Sequence, residues 1–277
     1  MKAGAIAFDA GIALAAGVVF AFLAIPIVAL FTQVPLGDVP GLLTQEQVQD
    51  ALWVTVRTNA IANALILVFG TPTAFLLATR RFPGRAALVT LTELPLVLPP
   101  AVAGIALLAA FGRGGLFGSE LQDAGIVLPF TEWAVVFAVT FVAAPFYLRQ
   151  GIAAFESVDA RLVEASRTLG ASPWRTFWRI SMPLAASGLA AGWVLAFARG
   201  LGEFGATVIF AGSVIGKTQT LTLAIYDQLD ADFDVSLSLG ILLVVLSAIV
   251  LASYKLISSW RSSDSRSPTP FAASTSP

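Results

Sequence analysis

No charged residue lies between Asp9 and Asp38, and further uncharged runs separate Arg57 from Arg80, Glu93 from Arg113 and Asp234 from Lys255. A helix rising about 1.5 Å per residue needs roughly 20 apolar residues to cross a hydrocarbon core about 30 Å thick, so each run is long enough to span a bilayer. A shorter run lies between Glu132 and Arg149, and Ile180 to Ala198 continues through Arg199 and Glu203 into Phe204–Phe210, a helix carrying two charges within the membrane. Six spans are expected, near residues 11–31, 57–79, 94–112, 133–155, 186–210 and 235–257, within a transmembrane domain of residues 1–260. Lys2 ahead of the first run is how a signal peptide begins. This run exceeds the usual apolar region of about 7–15 residues and lacks a small-x-small site before Phe31, so a retained helix is expected.

The same scarcity of charge excludes most soluble chemistry. Charged residues make up 12% of the chain, against about 25% in a soluble globular domain, while 57% are hydrophobic. Intrinsic disorder needs the opposite balance. Cysteine and histidine are both absent, so no disulfide, thiol nucleophile, His-based triad or His-bound metal can be built, and neither a catalytic nor a metal site is expected. A formal net charge of −1 without a basic tract argues against a nucleic-acid partner. The expected class is an all-α integral membrane protein in a lipid bilayer, working with carboxylates, guanidiniums, hydroxyls, amides and backbone.

Lysine and arginine concentrate in the short cytoplasmic loops of membrane proteins, which sets the orientation. Lys2, Arg80, Arg81, Arg85, Arg149, Arg161, Arg167, Arg175, Arg179, Lys255, Arg261 and Arg266 all fall on one side of the six expected spans. The other side holds Arg113 and Lys217 with most of the acids, among them Asp38, Glu46, Asp50, Glu120, Asp123, Asp227, Asp230, Asp232 and Asp234. Both termini are therefore expected in the cytoplasm. Residues 261–277, rich in Ser, Thr and Pro, are expected to form a disordered cytoplasmic tail. With so few residues after the sixth span, no fused regulatory domain is expected.

The longest expected cytoplasmic loop, between spans four and five, reads as two short helices. Asp159 is placed to cap the first, Gly170 to end it in the left-handed conformation, and Ser172-Pro173 to start the second, which carries Trp174, Phe177 and Trp178. Leu162, Ala165 or Ser166, and Leu169 share one face of the first helix, leaving Arg161, Glu164 and Arg167 to interact elsewhere. From these patterns alone the segment suits an amphipathic helix at the headgroups as well as a protein docking surface. Its sequence also carries Glu164-Ala165-Ser166-x3-Gly170, then Ile180-x-Met182-Pro183. That spacing closely resembles the EAA loop of ABC importer permeases, Glu-Ala-Ala-x3-Gly-x9-Ile-x-Leu-Pro, with Ser166 for alanine and Met182 for leucine. The resemblance implies a type I importer permease fold with six transmembrane helices. It also implies a coupling loop at 156–183, in which Glu164, Ala165 and Ser166 lie at the contact with a cytoplasmic ATPase, Gly170 supplies the bend and Pro183 closes the motif.

Arg199 and Glu203 are four apart in span five, near enough on one helix face to neutralise each other. An ionisable residue inside a membrane is a functional candidate by default, although an internal pair without a transport role is equally compatible with the spacing. Gly200, Gly202, Gly205 and Gly212 permit close helix contact or local unwinding, which suits a gate. The run from Arg199 through Gly202-Glu203-Phe204-Gly205-Ala206-Thr207, with Phe210-Ala211-Gly212 and Thr218-Gln219-Thr220-Leu221, resembles the molybdate permease branch of the family, as do Gly112-Arg113-Gly114-Gly115-Leu116 and Phe141 to Phe146. Ile215 and Thr222 stand where that branch has prolines. The resemblance, which covers about 55–255, implies a pathway for molybdate or tungstate; the sulfate and thiosulfate permeases are the nearest alternative. Arg57 and Arg199 are the basic residues outside the loops and, with Thr55, Thr58, Asn59, Asn63 and Thr207, are expected to form a sparse set of anion-binding donors, weak enough to release a dianion.

Gly212-Ser213-Val214-Ile215-Gly216-Lys217-Thr218 imitates a phosphate-binding loop, but only three residues separate its glycines where four are required, and no strand precedes it. This chain is therefore expected to be no enzyme and to hold no cofactor, with ATP and Mg bound by the ATPase partner. An extracytoplasmic binding protein and a second copy of the chain, as a homodimer, complete the assembly that the resemblance implies. A stand-alone secondary anion transporter is the competing class. It would use Arg199 and Glu203 as an ion-coupling relay and would need no docking loop.

Overall fold

Every regular element among the described residues is helical, as lipid demands of a backbone that must satisfy its own hydrogen bonds. The computed structural model describes residues 2–34, 37, 41 and 43–264, and the side chains of 8–34, 37, 41 and 43–255 among them. The helices are α1 (Lys2–Gln33), α2 (Glu46–Thr79), α3 (Arg85–Val97), α4 (Pro100–Phe111), α5 (Gly118–Asp123), α6 (Glu132–Glu156), α7 (Ala160–Thr168), α8 (Pro173–Thr176), α9 (Met182–Leu201), α10 (Gly205–Phe210), α11 (Leu221–Gln228) and α12 (Phe233–Asp264). A π turn, Phe177–Ser181, joins α8 to α9. Phe8–Gln33, Glu46–Thr79, Glu132–Glu156, Pro173–Leu201 and Phe233–Lys255 are each long and apolar enough to cross a membrane, and α3 with α4 makes a sixth crossing if that bent pair is one span.

Two expected spans are broken. The run expected at 94–112 begins instead at Arg85 and bends by 119° between α3 and α4. Its cause is Pro99-Pro100: a residue before proline is driven out of the α region, and Leu98 is extended with ψ 132°. The helix expected to run unbroken over 186–210 ends at Leu201, and α10 starts anew at Gly205. At the other end of this span, Pro183 marks no boundary. Helix continues through it from Pro173, because proline's missing donor is tolerated in the first turn of α9 and the π turn ahead lets the Met182 N–H bond five residues back to the Phe177 carbonyl. The last helix reaches Asp264, so the expected polar tail starts as helix, and its remainder, 265–277, lies outside the described residues.

The chain divides into two compact units, 1–55 with 213–245 and 56–212 with 246–277. The first has a small core of Val48, Ala51, Leu221, Ala224 and Leu239, and its α1 is exposed from Phe8 to Ala29. The second holds two larger clusters. One gathers Val135, Val136, Val139 and Val142 of α6 around Ala206 and Phe210; the other packs Ile66 and Ala74 of α2 with Tyr147, Phe155 and Leu189.

Candidate functional site

The two helix breaks of the larger unit meet. A Cβ built on Gly205 would come 2.5 Å from the Pro100 Cβ, and one on Gly104 would come 2.8 Å from the Ile209 Cβ and 2.9 Å from the Ala206 carbonyl oxygen. Only glycine permits this approach of α4 to α10. Gly202, by contrast, has open space around it and an ordinary φ of −91°, so it marks the end of α9 without a close contact.

Glu203 lies in the second break rather than on a helix face. Its Oε1 accepts the Ala206 N–H at 2.9 Å, filling one of the donors that the start of α10 leaves without an intrahelical partner, while Oε2 pairs with Arg199 Nη2 at 2.7 Å. The expected ion pair therefore forms, but across the break. Its members differ sharply, since the Glu203 side chain is 1% exposed and that of Arg199 27%. Arg199 also lines a cavity of about 150 Å³ at the bend of the first break, with Pro95, Leu96, Leu98, Pro100, Ala103, Val142 and Phe146. It is the one charged group in that lining.

The expected donors are placed differently. Thr55, Thr58, Asn59, Asn63 and Thr207 are all buried. Thr55 Oγ1 donates to the Ala51 carbonyl and accepts the Leu221 N–H, both at 2.7 Å, so it caps the first turn of α11. Asn59 Nδ2 donates to the Phe197 carbonyl at 3.1 Å, with its Oδ1 against Gly200, and Asn63 Nδ2 donates to Asn59. Asn59, braced by Asn63, ties α2 to α9 just ahead of the break. Arg57 pairs with Glu132 at 3.3 Å, its side chain 48% exposed, and is no part of the Arg199–Glu203 cluster.

The loop after α6 forms the predicted caps. Asp159 accepts the Arg161 N–H at 2.9 Å and pairs with the Arg161 side chain, which hold its carboxyl below the ordinary 3.8. Gly170 takes φ +83°, and Ser172 accepts the Arg175 N–H. Ser166, where the familiar motif has alanine, shares a hydrogen bond of 3.0 Å with buried Thr176, bridging α7 to α8. Phe177 stacks edge-on against Phe75 at 4.7 Å, and Phe75 against Phe155 at 5.2 Å, which seats the π turn between α2 and α6. Leu162 and Leu169 share a face, but that face is not packed: Leu162 is 48% exposed and Leu169 88%. Val163 and Ser166 turn inward instead. Beneath the loop, Arg81, Arg85, Glu156, Glu164 and Arg167 line a cavity of about 660 Å³, with Arg85 paired to Glu156 at 2.7 Å.

The segment that imitates a phosphate loop is wired to itself. Val214 N–H donates to Thr218 Oγ1 at 3.0 Å, while Ser213 Oγ and Gln219 Nε2 both donate to Asp227. The Asp50 carboxylate also faces Gly216, an unsuitable neighbour for a phosphate.

Broken helices at membrane depth recur in transporters, and a family model points the same way. The model for the binding-protein-dependent transport system inner membrane component matches residues 66–263, most of the chain. The chain belongs to this family. The permease is therefore a multi-pass inner-membrane protein. It is 46% identical over 238 residues to the molybdenum transport system permease protein ModB of Mycobacterium tuberculosis, covering 85% of this chain and 89% of that one. Against ModB of Escherichia coli K12 the identity is 39% over 227 residues, covering 81% and 97%. The sulfate transport system permease protein CysW of Synechococcus elongatus is 38% identical over 181 residues, covering 65% and 63%. Among solved structures, the fold is similar to a chain of a bacterial alginate ABC transporter complexed with a pentasaccharide-bound periplasmic protein (TM-score 0.72, 20% identity, 88% and 92% covered). It is also similar to a chain of the inward-facing MetNI methionine ABC transporter (TM-score 0.59, 20% identity, 75% and 92% covered).

Sequence reasoning missed Thr55 as a cap, the Asp227 network and the pairing of Arg57 with Glu132. Thr55–Leu221 and Arg57–Glu132 join residues far apart in the chain, Asp227 reaches back to Ser213 and Gln219 across a turn, and no local pattern marks any of them.

Proposed function

We propose that this permease forms the translocation pathway of an ATP-driven importer of tetrahedral oxyanions, molybdate and tungstate first and sulfate second. The observation that carries this reading is the 46% identity to a molybdenum permease along 85% of the chain. The geometry supports it, because Arg199, the one charged residue lining the cavity where two broken spans meet, is a donor suited to an oxyanion. In this reading Arg199, Gly202, Glu203, Gly205 and Thr207 form the pathway and its gate, and Arg57 is a second positive point along it. Both termini and the α7–α8 loop face the cytoplasm. There Glu164, Ala165, Ser166, Gly170 and Pro183 form the coupling element, and the exposed Leu162, Leu169 and Trp174 are covered by an ATPase subunit that binds ATP and Mg. A second copy of the chain and an extracytoplasmic binding protein complete the importer.

Reconstitution in vesicles tests this. Molybdate uptake that requires ATP, the ATPase subunit and the binding protein is the expected result. Gradient-driven uptake by the chain alone would overturn it in favour of a secondary transporter, and uptake of sulfate but not molybdate would move the chain to the sulfate branch. Arg199→Gln and Arg57→Gln should each lower uptake while leaving the assembled complex intact.

A further inference from the structure

We propose that Glu203 is a built-in competitor of the transported oxyanion, neutralising Arg199 while the pathway is empty and keeping the oxyanion's hold on that guanidinium weak. This deepens the oxyanion-import reading and rests on it.

Three observations carry it. First, the pair is asymmetric: Glu203 is buried and anchored, its Oε1 held by the Ala206 N–H and its Oε2 by Arg199, whereas Arg199 is partly open. If the guanidinium swings away, the carboxylate keeps its backbone donor and stays in place. Second, a guanidinium has five N–H donors, and among the described residues Arg199 commits only Nη2, to Glu203. The remaining donors are available to a second acceptor. Third, Arg199 borders a cavity of about 150 Å³ with an otherwise apolar lining of prolines, leucines, alanine, valine and phenylalanine. Because about 10–15 Å³ of such volume already holds one water, there is room for a five-atom tetrahedral oxyanion.

Charge decides the rest. A lone guanidinium in a low-dielectric lining would hold a dianion too tightly to release it, since charge attraction grows several-fold as the effective dielectric falls. A fixed carboxylate within hydrogen-bond reach of the same guanidinium removes most of that excess. It also supplies a counter-ion once the substrate has left, so Arg199 is never left uncompensated in the membrane. Glu203 is thus a positioning residue that sets residence time, and the attraction itself belongs to Arg199.

The test uses the full permease–ATPase complex, with sodium molybdate as the probe and sodium chloride at equal ionic strength as the control. Glu203→Gln keeps an acceptor for the Ala206 N–H but removes the charge. Expected results are tenfold or greater tightening of molybdate binding by the purified complex, slower uptake, and a melting temperature raised by molybdate but not by chloride, where the wild type responds to neither. Arg199→Gln added to Glu203→Gln should abolish the gain. If Glu203→Gln fails to assemble, expression in molybdate should rescue it, and Glu203→Asp, which keeps the charge on a shorter arm, should assemble and bind molybdate more tightly than wild type. Wild-type uptake with no gain in binding, and no molybdate rescue, in either variant overturns the proposal and leaves the importer reading standing. A wild-type complex that transports no oxyanion overturns both.

Discussion

Gly104→Ala tests whether the two broken spans lean on each other. The new methyl would lie 2.8 Å from the Ile209 Cβ, 2.9 Å from the Ala206 carbonyl oxygen and 3.1 Å from the Ala206 Cα. Carbon atoms pack best at about 3.5–4.0 Å, so α4 and α10 must part by roughly 0.7 Å. None of the three atoms is the end of a flexible side chain, so no change of rotamer relieves the clash. Overpacking of this kind costs about 1–3 kcal/mol, offset by the ~0.5–1 kcal/mol that alanine gains over glycine inside a helix. The net loss is about 0–2.5 kcal/mol, centred near 1, or up to roughly 10 °C in melting temperature at ~2–4 °C per kcal/mol. Gly205→Ala, facing the Pro100 Cβ at 2.5 Å, should lose more. Gly114→Ala, with nothing within 4 Å and no positive φ, should stay within about 0.5 kcal/mol of wild type. Thermal unfolding of the lipid-reconstituted protein, followed by tryptophan fluorescence, reads all three. Melting temperatures for Gly104→Ala and Gly205→Ala at or above the wild-type value would refute the contact between breaks, and with it the argument that they form one site.

Other expectations concern single bonds. Thr55→Val leaves the Leu221 N–H without its acceptor, a loss of about 1–3 kcal/mol in thermal unfolding, whereas Thr55→Ser keeps the hydroxyl and most of the stability. The Asp159 carboxyl is held below the ordinary 3.8, chiefly by the Arg161 side chain and then by the Arg161 N–H. A depressed folded-state pKa contributes stability in full above the ordinary value and loses it as pH falls through the folded one, so the cap of α7 weakens only in acid. Carboxyl carbon NMR should place the Asp159 midpoint below 3.8 and show Arg161→Gln raising it. Gly170→Ala meets no neighbour but forces alanine to φ +83°, a strain of about 1–2 kcal/mol. Uptake per ATP hydrolysed should fall, with Gly170→Asn affected less.

Each uncharged run falls in a helix or bent helix pair long and apolar enough to cross a membrane, because a chain in lipid has few ways to satisfy its backbone and each apolar stretch points to the same one. The runs could not show where a span breaks. The stretch from Glu93 to Arg113 is uniformly apolar, yet Pro99 and Pro100 remove two backbone donors from its middle, and hydropathy does not register a missing N–H. The Arg199–Glu203 pair was legible from its spacing of four, but for an incomplete reason. A continuous helix would have set the two side chains side by side on one face, whereas the break buries the carboxylate and anchors it at Ala206. On α7, the shared face of Leu162 and Leu169 was legible and its fate was not, because periodicity says which residues travel together and not what covers them. Non-helical backbone at membrane depth is tolerated only where protein encloses it or a cavity receives it. Pro95, Pro100 and the partly open Arg199 line a single cavity here, and Glu203, paired with Arg199, and Gly205, packed against Pro100, lie beside it. In the proposed reading, the residues least useful for crossing a membrane therefore mark the gate.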